Sequence, residues 1–206
     1  MNDAAKEFPD WNSFYNENEV EKMPGYEKNL DPDLVLEIKS RNISKGRFLD
    51  LGTGPGTQAM QLAKLGFTVT GVDISENAIQ KTKKISTKVN FVRDDFVTSK
   101  LPDESFDHIL DRGCFHVLKP SQRQKYVEQI KRILDRKGIL FLKCFSIEEP
   151  GDKGPHRFSK QDIKDIFNEY FVIESIKDTV YYGTLVPLPK ALFVVMKKPH
   201  LEKSLE

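Results

Sequence analysis

The stretch Phe48-Leu49-Asp50-Leu51-Gly52-Thr53-Gly54-Pro55-Gly56-Thr57 constrains this chain more than any other. An apolar run passes through three close glycines into a helical pattern over Gln58 to Leu65, which Gly66 ends. A strand, a glycine turn and a helix in that order let a ligand approach the backbone, through dihedrals that other residues resist. The dinucleotide fingerprint does not fit, because its third glycine would fall at Thr57 and Gly56 is one place early. No Gly-Lys-Ser/Thr follows, so the turn is not a P-loop. Asp50 before the turn and Pro55 within it suit a cation-bearing ligand better than a pyrophosphate.

Beyond the turn, short apolar runs alternate with amphipathic ones. Strands are expected at Arg47 to Leu51, Phe67 to Val72, Val89 to Val92, Phe106 to Leu110, Ile139 to Phe145, Phe171 to Ile176 and Ala191 to Met196. Asp31-Pro32-Asp33 caps and opens a helix to about Ile43. A third helix spans Ser75 to about Lys84. A fourth starts near Ser121, aligns Tyr126, Ile130, Ile133 and Leu134 on one face, and stops at Gly138. Ser159 with Asp162 makes a capping box for a helix that buries Ile163, Ile166, Phe167 and Tyr170. The alternation predicts an α/β fold with a doubly wound, mostly parallel sheet. Such sheets bind ligands beyond the carboxyl ends of their strands, where the strand order reverses.

Composition narrows the class. At 38% apolar and 31% charged, the 206 residues read as one globular domain that buries about 70% of its extended surface. A net charge of +1 provides no field to hold nucleic acid or an anionic membrane. Cys114 and Cys144 make no disulfide framework, so a reducing, cytoplasmic location is expected. The first residues are acidic and polar, unlike a secretory leader, and no apolar run reaches spanning length. Met1 to Asp31 holds eight acids against three lysines, with Trp11, Phe14, Tyr15 and Tyr26 among them. Those aromatics suggest a loosely helical lid that docks on the domain. The expected layout is a lid over 1–30, a domain over 31–198 and a tail over 199–206.

Asp73 ends the second strand about 20 residues past the glycine turn, the spacing at which a carboxylate accepts from ribose hydroxyls. Capping the next helix is its plainer role, but Ser75 can supply that cap itself. Asp94-Asp95-Phe96 closes the third strand at the same edge, where a carboxylate beside an aromatic ring suits an adenine.

Three segments together, Asp50 to Gly56, Val72-Asp73-Ile74 and Leu101-Pro102-Asp103-Glu104-Ser105-Phe106-Asp107, carry a family resemblance. From about Asp31 to Lys197 the chain resembles the class I S-adenosylmethionine-dependent methyltransferases. The resemblance implies a Rossmann-like seven-stranded sheet whose last strand, Ala191 to Met196, runs antiparallel. It also implies S-adenosylmethionine as cofactor and S-adenosylhomocysteine as product. Position by position, Gly52, Thr53 and Gly54 would meet the methionine end through backbone, and Asp73 would take the ribose. Ile74 would pack on adenine, with Asp95 (in preference to Asp94) and Phe96 bracketing the base. Asp50 and Asp111 complete the cofactor set, and no metal is implied.

Asp111-Arg112-Gly113, the later Arg123 and Tyr126, and Glu149 to Phe158 are similar to the thiopurine, thiol and tellurite-resistance methyltransferase group. That group carries a Gly-Pro loop at this place and an aromatic N-terminal lid over the cofactor, which Trp11 and Tyr15 match loosely. The likeness implies a small, soft acceptor such as a thiol, a chalcogen or a metalloid. After the fourth strand the chain lacks the Asn/Asp-Pro-Pro-aromatic stretch used to methylate exocyclic amines, and neither cysteine follows a proline. The expected partner is therefore a small molecule, with no nucleic acid and no membrane, and the chain is expected to act as a monomer. His116, His156 and Arg157 are the acceptor-contact candidates. His116 reads equally well as a core histidine, and Arg157 as a partner for a lid acid. The alternatives are protein lysine or carboxyl methylation, and cofactor binding without turnover.

Overall fold

The computed structural model describes residue 6, residues 8–23 and residues 25–199. Residues 1–5 of the expected lid, and the expected tail beyond Pro199, lie outside the described residues. Seven strands form one path: β1 (Arg47–Leu51), β2 (Thr68–Asp73), β3 (Asn90–Arg93), β4 (Phe106–Arg112), β5 (Leu134–Ser146), β7 (Val172–Val180) and β8 (Lys190–Lys197). Their order is β3-β2-β1-β4-β5-β8-β7, and a two-residue strand β6 (Arg157–Phe158) pairs with β5 off the path. β8 runs antiparallel to both neighbours while the other pairs are parallel, as expected for this fold. The order reverses between β1 and β4, so the carboxyl tips of those strands open the crevice that a ligand can enter.

Period-two alternation sorts the strands between two helical layers. Phe48, Phe141, Phe193 and Val195 share a core with Leu34 and Ile38 of α2 (Pro32–Ser40), Leu62 of α3 (Thr57–Lys64) and Ile79 of α4 (Glu76–Ile85). Their sequence neighbours Leu49, Leu140, Leu142 and Val194 pack with Tyr126 and Ile130 of α5 (Pro120–Ile133) and with Ile163 and Phe167 of α6 (Lys160–Phe167). The helix starts follow local chemistry. Asp31 accepts from Asp33 N–H, Ser75 from Ala78 N–H, and Ser159 and Asp162 close a reciprocal capping box.

Four expectations need correction. The α5 helix ends at Ile133, not Gly138: Leu134 is extended at φ −72°, ψ 134°, and pairs with Phe106. Sheet pairing outweighs helix propensity there, and Gly138 serves the bend, since a side-chain carbon on it would lie 2.5 Å from Leu134 Cγ. α2 stops at Ser40, short of Ile43, and β7 runs four residues past Ile176 because Lys177 to Val180 continue the ladder with β8. Ile163 and Phe167 are buried as expected, whereas Ile166 and Tyr170 are only half-buried.

The N-terminal segment forms α1 (Trp11–Glu17), capped by Asp10. It docks on α4: Asn12 Oδ1 accepts from Asn77 N–H at 3.0 Å, the Asn77 amide donates to Asn12 O at 2.9 Å, and Lys81 donates to Tyr15 O. No helix among the described residues is long and apolar enough to cross a membrane.

Candidate active site

A cavity of about 1150 Å³ lies across the strand tips. One end is built on β1, β2 and β3. Asp50 Oδ2 accepts from Thr53 Oγ1 at 2.6 Å and Ala59 N–H at 3.1 Å, which ties the glycine turn to the first turn of α3. Burial pushes its carboxyl up to about 6, against the pull of those hydrogen bonds. Asp73 accepts from Gly54 N–H and Ser75 N–H, both at 2.9 Å, and burial raises its carboxyl as well. A carboxylate has about four acceptor sites, so Asp73 keeps capacity for a ligand beyond these backbone groups and Ile74 N–H. Asp50, Gly52, Thr53, Asp73, Ile74, Asp95 and Phe96 all line this end, with Ile74 48% exposed. Asp95 caps the turn of Phe96 to Thr98 through Val97 N–H, while Asp94 accepts from Ser99 and Lys100. Phe96 packs edge-on to Tyr126 in the core.

Trp11 and Tyr15 of α1 also belong to the lining. Gly54 does not, because the Tyr15 phenol covers it: a side-chain carbon on Gly54 would lie 2.4 Å from the Tyr15 hydroxyl. Gly54 holds φ +49°, a left-handed conformation that favours glycine.

Asp111 does not reach the cavity. Its carboxylate is wholly buried and accepts from the N–H groups of Gly113, Cys114 and Phe115 and from Tyr126 Oη at 2.6 Å. It shapes the turn after β4 instead of meeting a ligand, and burial pushes it up to about 6.

The other end is built from that turn, the tip of β5, the Gly-Pro loop and the segment between β7 and β8. His116 lines it, 4% exposed, with its ring between Phe145 and Tyr181. His156 does not line the cavity; its ring packs on Phe8 at 5.7 Å and its backbone N–H donates to His116 O. Arg157 lines the wall, and its guanidinium donates to the carbonyls of Glu149, Pro150 and Lys153, so it rigidifies the loop rather than pairing with a lid acid. Lys6 clamps the same loop from the N-terminal segment through the carbonyls of Asp152, Gly154 and Pro155. Arg123 lies over the Phe158 ring.

Sequence reasoning missed Arg112, Tyr181 and the buried charges behind them. Arg112 lines the cavity, stacks on Tyr181 at 4.6 Å, pairs with Asp31 at 2.9 Å, and donates to the carbonyls of Gly25 and Tyr182. Lys143, 0% exposed in the middle of β5, pairs with Asp31 and Asp33, each at 2.7 Å, beneath the Tyr182 ring. A lysine within an apolar strand was the available signal, since a buried charge needs a partner.

A methyltransferase domain model matches residues 48–138. An uncharacterized methyltransferase of Schizosaccharomyces pombe is 37% identical over 102 residues, which span 48% of this chain and 70% of the relative. Thiocyanate methyltransferase 1 of Brassica oleracea is 28% identical over 66% of this chain and 62% of its own. EEF1A lysine methyltransferase 2 of Homo sapiens is 33% identical over 46% of this chain and 45% of its own. A structure solved in work on the conversion of a disulfide bond into a thioacetal group during echinomycin biosynthesis matches with a TM-score of 0.77 and 20% identity, over 94% of each chain. The sequence matches, carried on a sheet of this order, place the chain in a family: it belongs to the class I S-adenosylmethionine-dependent methyltransferases.

Proposed function

We propose that this chain methylates a small, soft nucleophile, with sulfur as the receiving atom, and that the two ends of its cavity divide the work. The carrying observation is the uneven lining of that cavity: four carboxylates, Asp50, Asp73, Asp94 and Asp95, gather at one end, while the other mixes Arg112 and Arg157 with Glu149, Asp152 and an uncharged His116. The residues at the acidic end fit the cofactor. Asp73 has acceptor capacity left for ribose hydroxyls, Ile74 offers an exposed apolar face to a base, and Asp95 stands beside it. Gly52 lines this end, and its lack of a side chain lets Cys114 pack against it, since a side-chain carbon there would stand 3.1 Å from Cys114 Cβ. The volume exceeds the upper range of a pocket for one drug-sized ligand, about 1,000 Å³, which leaves room for a second small molecule.

When bound, the cofactor supplies a methyl group already activated by its sulfonium. The chain's own residues then have to align the acceptor and exclude water, and alignment alone is worth roughly 7–11 kcal/mol of barrier. α1, with Trp11 and Tyr15, is the lid over the cofactor end, and Arg157 holds the acceptor wall in shape. A monomer working in the cytoplasm completes the reading. The enclosing segments, residues 8–15 and 149–157 with Tyr181, Leu185 and Pro189, favour a small molecule over a peptide laid along a groove.

The test is incubation of the full chain with labelled S-adenosylmethionine and two panels, thiols and lysine peptides. Thiol-dependent release of S-adenosylhomocysteine is expected. Turnover of lysine peptides alone would replace this proposal with protein methylation, and cofactor binding without any turnover would replace it with a binding module.

A further inference from the structure

His116 stands where a proton acceptor for the methyl acceptor would be sought, yet its surroundings assign it the opposite role. Phe145 N–H donates to Nδ1 at 3.3 Å, so that nitrogen is unprotonated and the neutral ring carries its proton on Nε2. The ring is held in place by Tyr181, near-parallel at 5.5 Å, and by Phe145, edge-on at 5.2 Å. Nε2 lies beside the Gly113 backbone in the cavity wall, 3.3 Å from where a Gly113 side chain would begin. Burial, then the charges of Arg112, His156 and Lys6, push the imidazole down to about 3. It is neutral at physiological pH and a poor base.

The groups around it are also committed. Tyr181 donates its hydroxyl to Arg112 O at 2.7 Å, and burial pushes it up to about 12. Asp111 is saturated by the turn and Tyr126. Burial raises the Cys114 thiol well above its usual range. Glu149 accepts from Lys190 N–H at 2.7 Å, and Asp152 sits on the exposed tip of the loop. Arg157 spends its hydrogen bonds on neutral carbonyls, which leaves its charge to act on whatever enters, whereas the charge of Lys6 is met by the Asp152 carboxylate.

We infer that the acceptor binds as a preformed thiolate, and that His116 holds it as a hydrogen-bond donor through Nε2–H instead of removing its proton. The inference rests on the thiol reading above. The proton leaves to water before binding. In the transfer itself a sulfur–methyl bond forms on the acceptor, the sulfonium–methyl bond breaks with its electron pair returning to that sulfur, and the negative and positive charges cancel. No proton moves in that step.

The test uses the full chain with aryl thiols of graded acidity. With S-adenosylhomocysteine present, 4-nitrobenzenethiol is titrated by absorbance, since its thiolate is coloured and its thiol is not. Its bound midpoint is expected about one unit or more below that in water. In turnover, the acid limb of kcat/KM should move with each thiol's own pKa. His116→Phe keeps the packing and removes the donor, so it should abolish the spectral shift and lower kcat/KM roughly ten- to hundredfold; His116→Gln, which keeps an N–H, should retain part of both. An acid limb fixed at one pH for every thiol, above all one that Glu149→Gln displaces, would overturn the inference while leaving the thiol reading intact. Failure to methylate any thiol would overturn both. If His116→Phe does not fold, the wild-type thiol series decides alone.

Discussion

The two ends of the cavity are built by different kinds of contact. At the acidic end the carboxylates serve groups nearer in the chain: Asp50 accepts from the Thr53 hydroxyl three residues on and Ala59 N–H nine on, Asp95 from Val97 N–H two on, and Asp73 from Gly54 N–H 19 back. At the basic end Arg157 stays within its own loop, but three other cations reach across the fold. Arg112 meets Tyr182 across 70 residues, Lys143 meets Asp31 across 112, and Lys6 meets Pro155 across 149. The acidic end is thus a property of strand tips and their own loops, while the basic end exists only when distant segments meet. The first can stay constant over a family with one cofactor; the second can change with the acceptor.

The largest expected effect falls on the acidic end. Asp73→Ala removes a hydrogen-bonding charge, so calorimetric affinity for S-adenosylhomocysteine should fall roughly 10- to 150-fold. Acceptor KM measured at saturating cofactor should move little. Equal losses in both would mean the ends are not separable. Next, Gly54→Ala forces a side chain into a left-handed position and against the Tyr15 hydroxyl. Strain of about 1–2 kcal/mol should lower Tm by roughly 4 °C in a chain of this size. Adding Tyr15→Ala should return the part due to the clash, read as a non-additive double-mutant cycle.

These sites were legible because short-range chemistry wrote them. The glycine turn, Asp73, the Ser75 cap and the Ser159–Asp162 box each depend on neighbours in the chain. Asp111 was expected to meet the cofactor, and nothing in its spacing shows that three following N–H groups would take up its oxygens. The end of α5 was misplaced because Leu134 continues the helical pattern while its pairing partner, Phe106, lies far back in the chain. Arg112 drew notice only as part of the Asp111-Arg112-Gly113 motif and Lys143 drew none, because their shared partner Asp31 lies far back in the chain.

Smaller effects belong to the basic end. Arg157→Ala releases three loop carbonyls and should raise acceptor KM about tenfold, the worth of about one hydrogen bond from a charged group. Cofactor affinity should stay within about twofold. An unchanged KM would remove the Gly-Pro loop from the acceptor wall.

A further contrast is in pH dependence, between buried His116 and two buried carboxyls. His116 falls from its usual 6.5 to about 3, so the unfolded chain binds the extra proton between those values. Its contribution to stability is whole above 6.5 and is lost as pH falls toward 3. Asp50 and Asp111 rise from 3.8 to about 6, so their contributions are whole below 3.8 and are lost as pH climbs through 6. Thermal unfolding from pH 3 to 7 should therefore show His116→Gln losing less stability on acidification than the wild type. Parallel curves would contradict the buried, neutral state of His116.

The most direct test of the division between the ends is a crystal structure of the chain with S-adenosylhomocysteine and 4-nitrobenzenethiol together. The ribose is predicted at Asp73 and the adenine between Ile74 and Asp95, with the thiol sulfur facing His116 Nε2. A nucleoside lying among Arg112, Arg157 and His116, with the thiol at the aspartates, would contradict it.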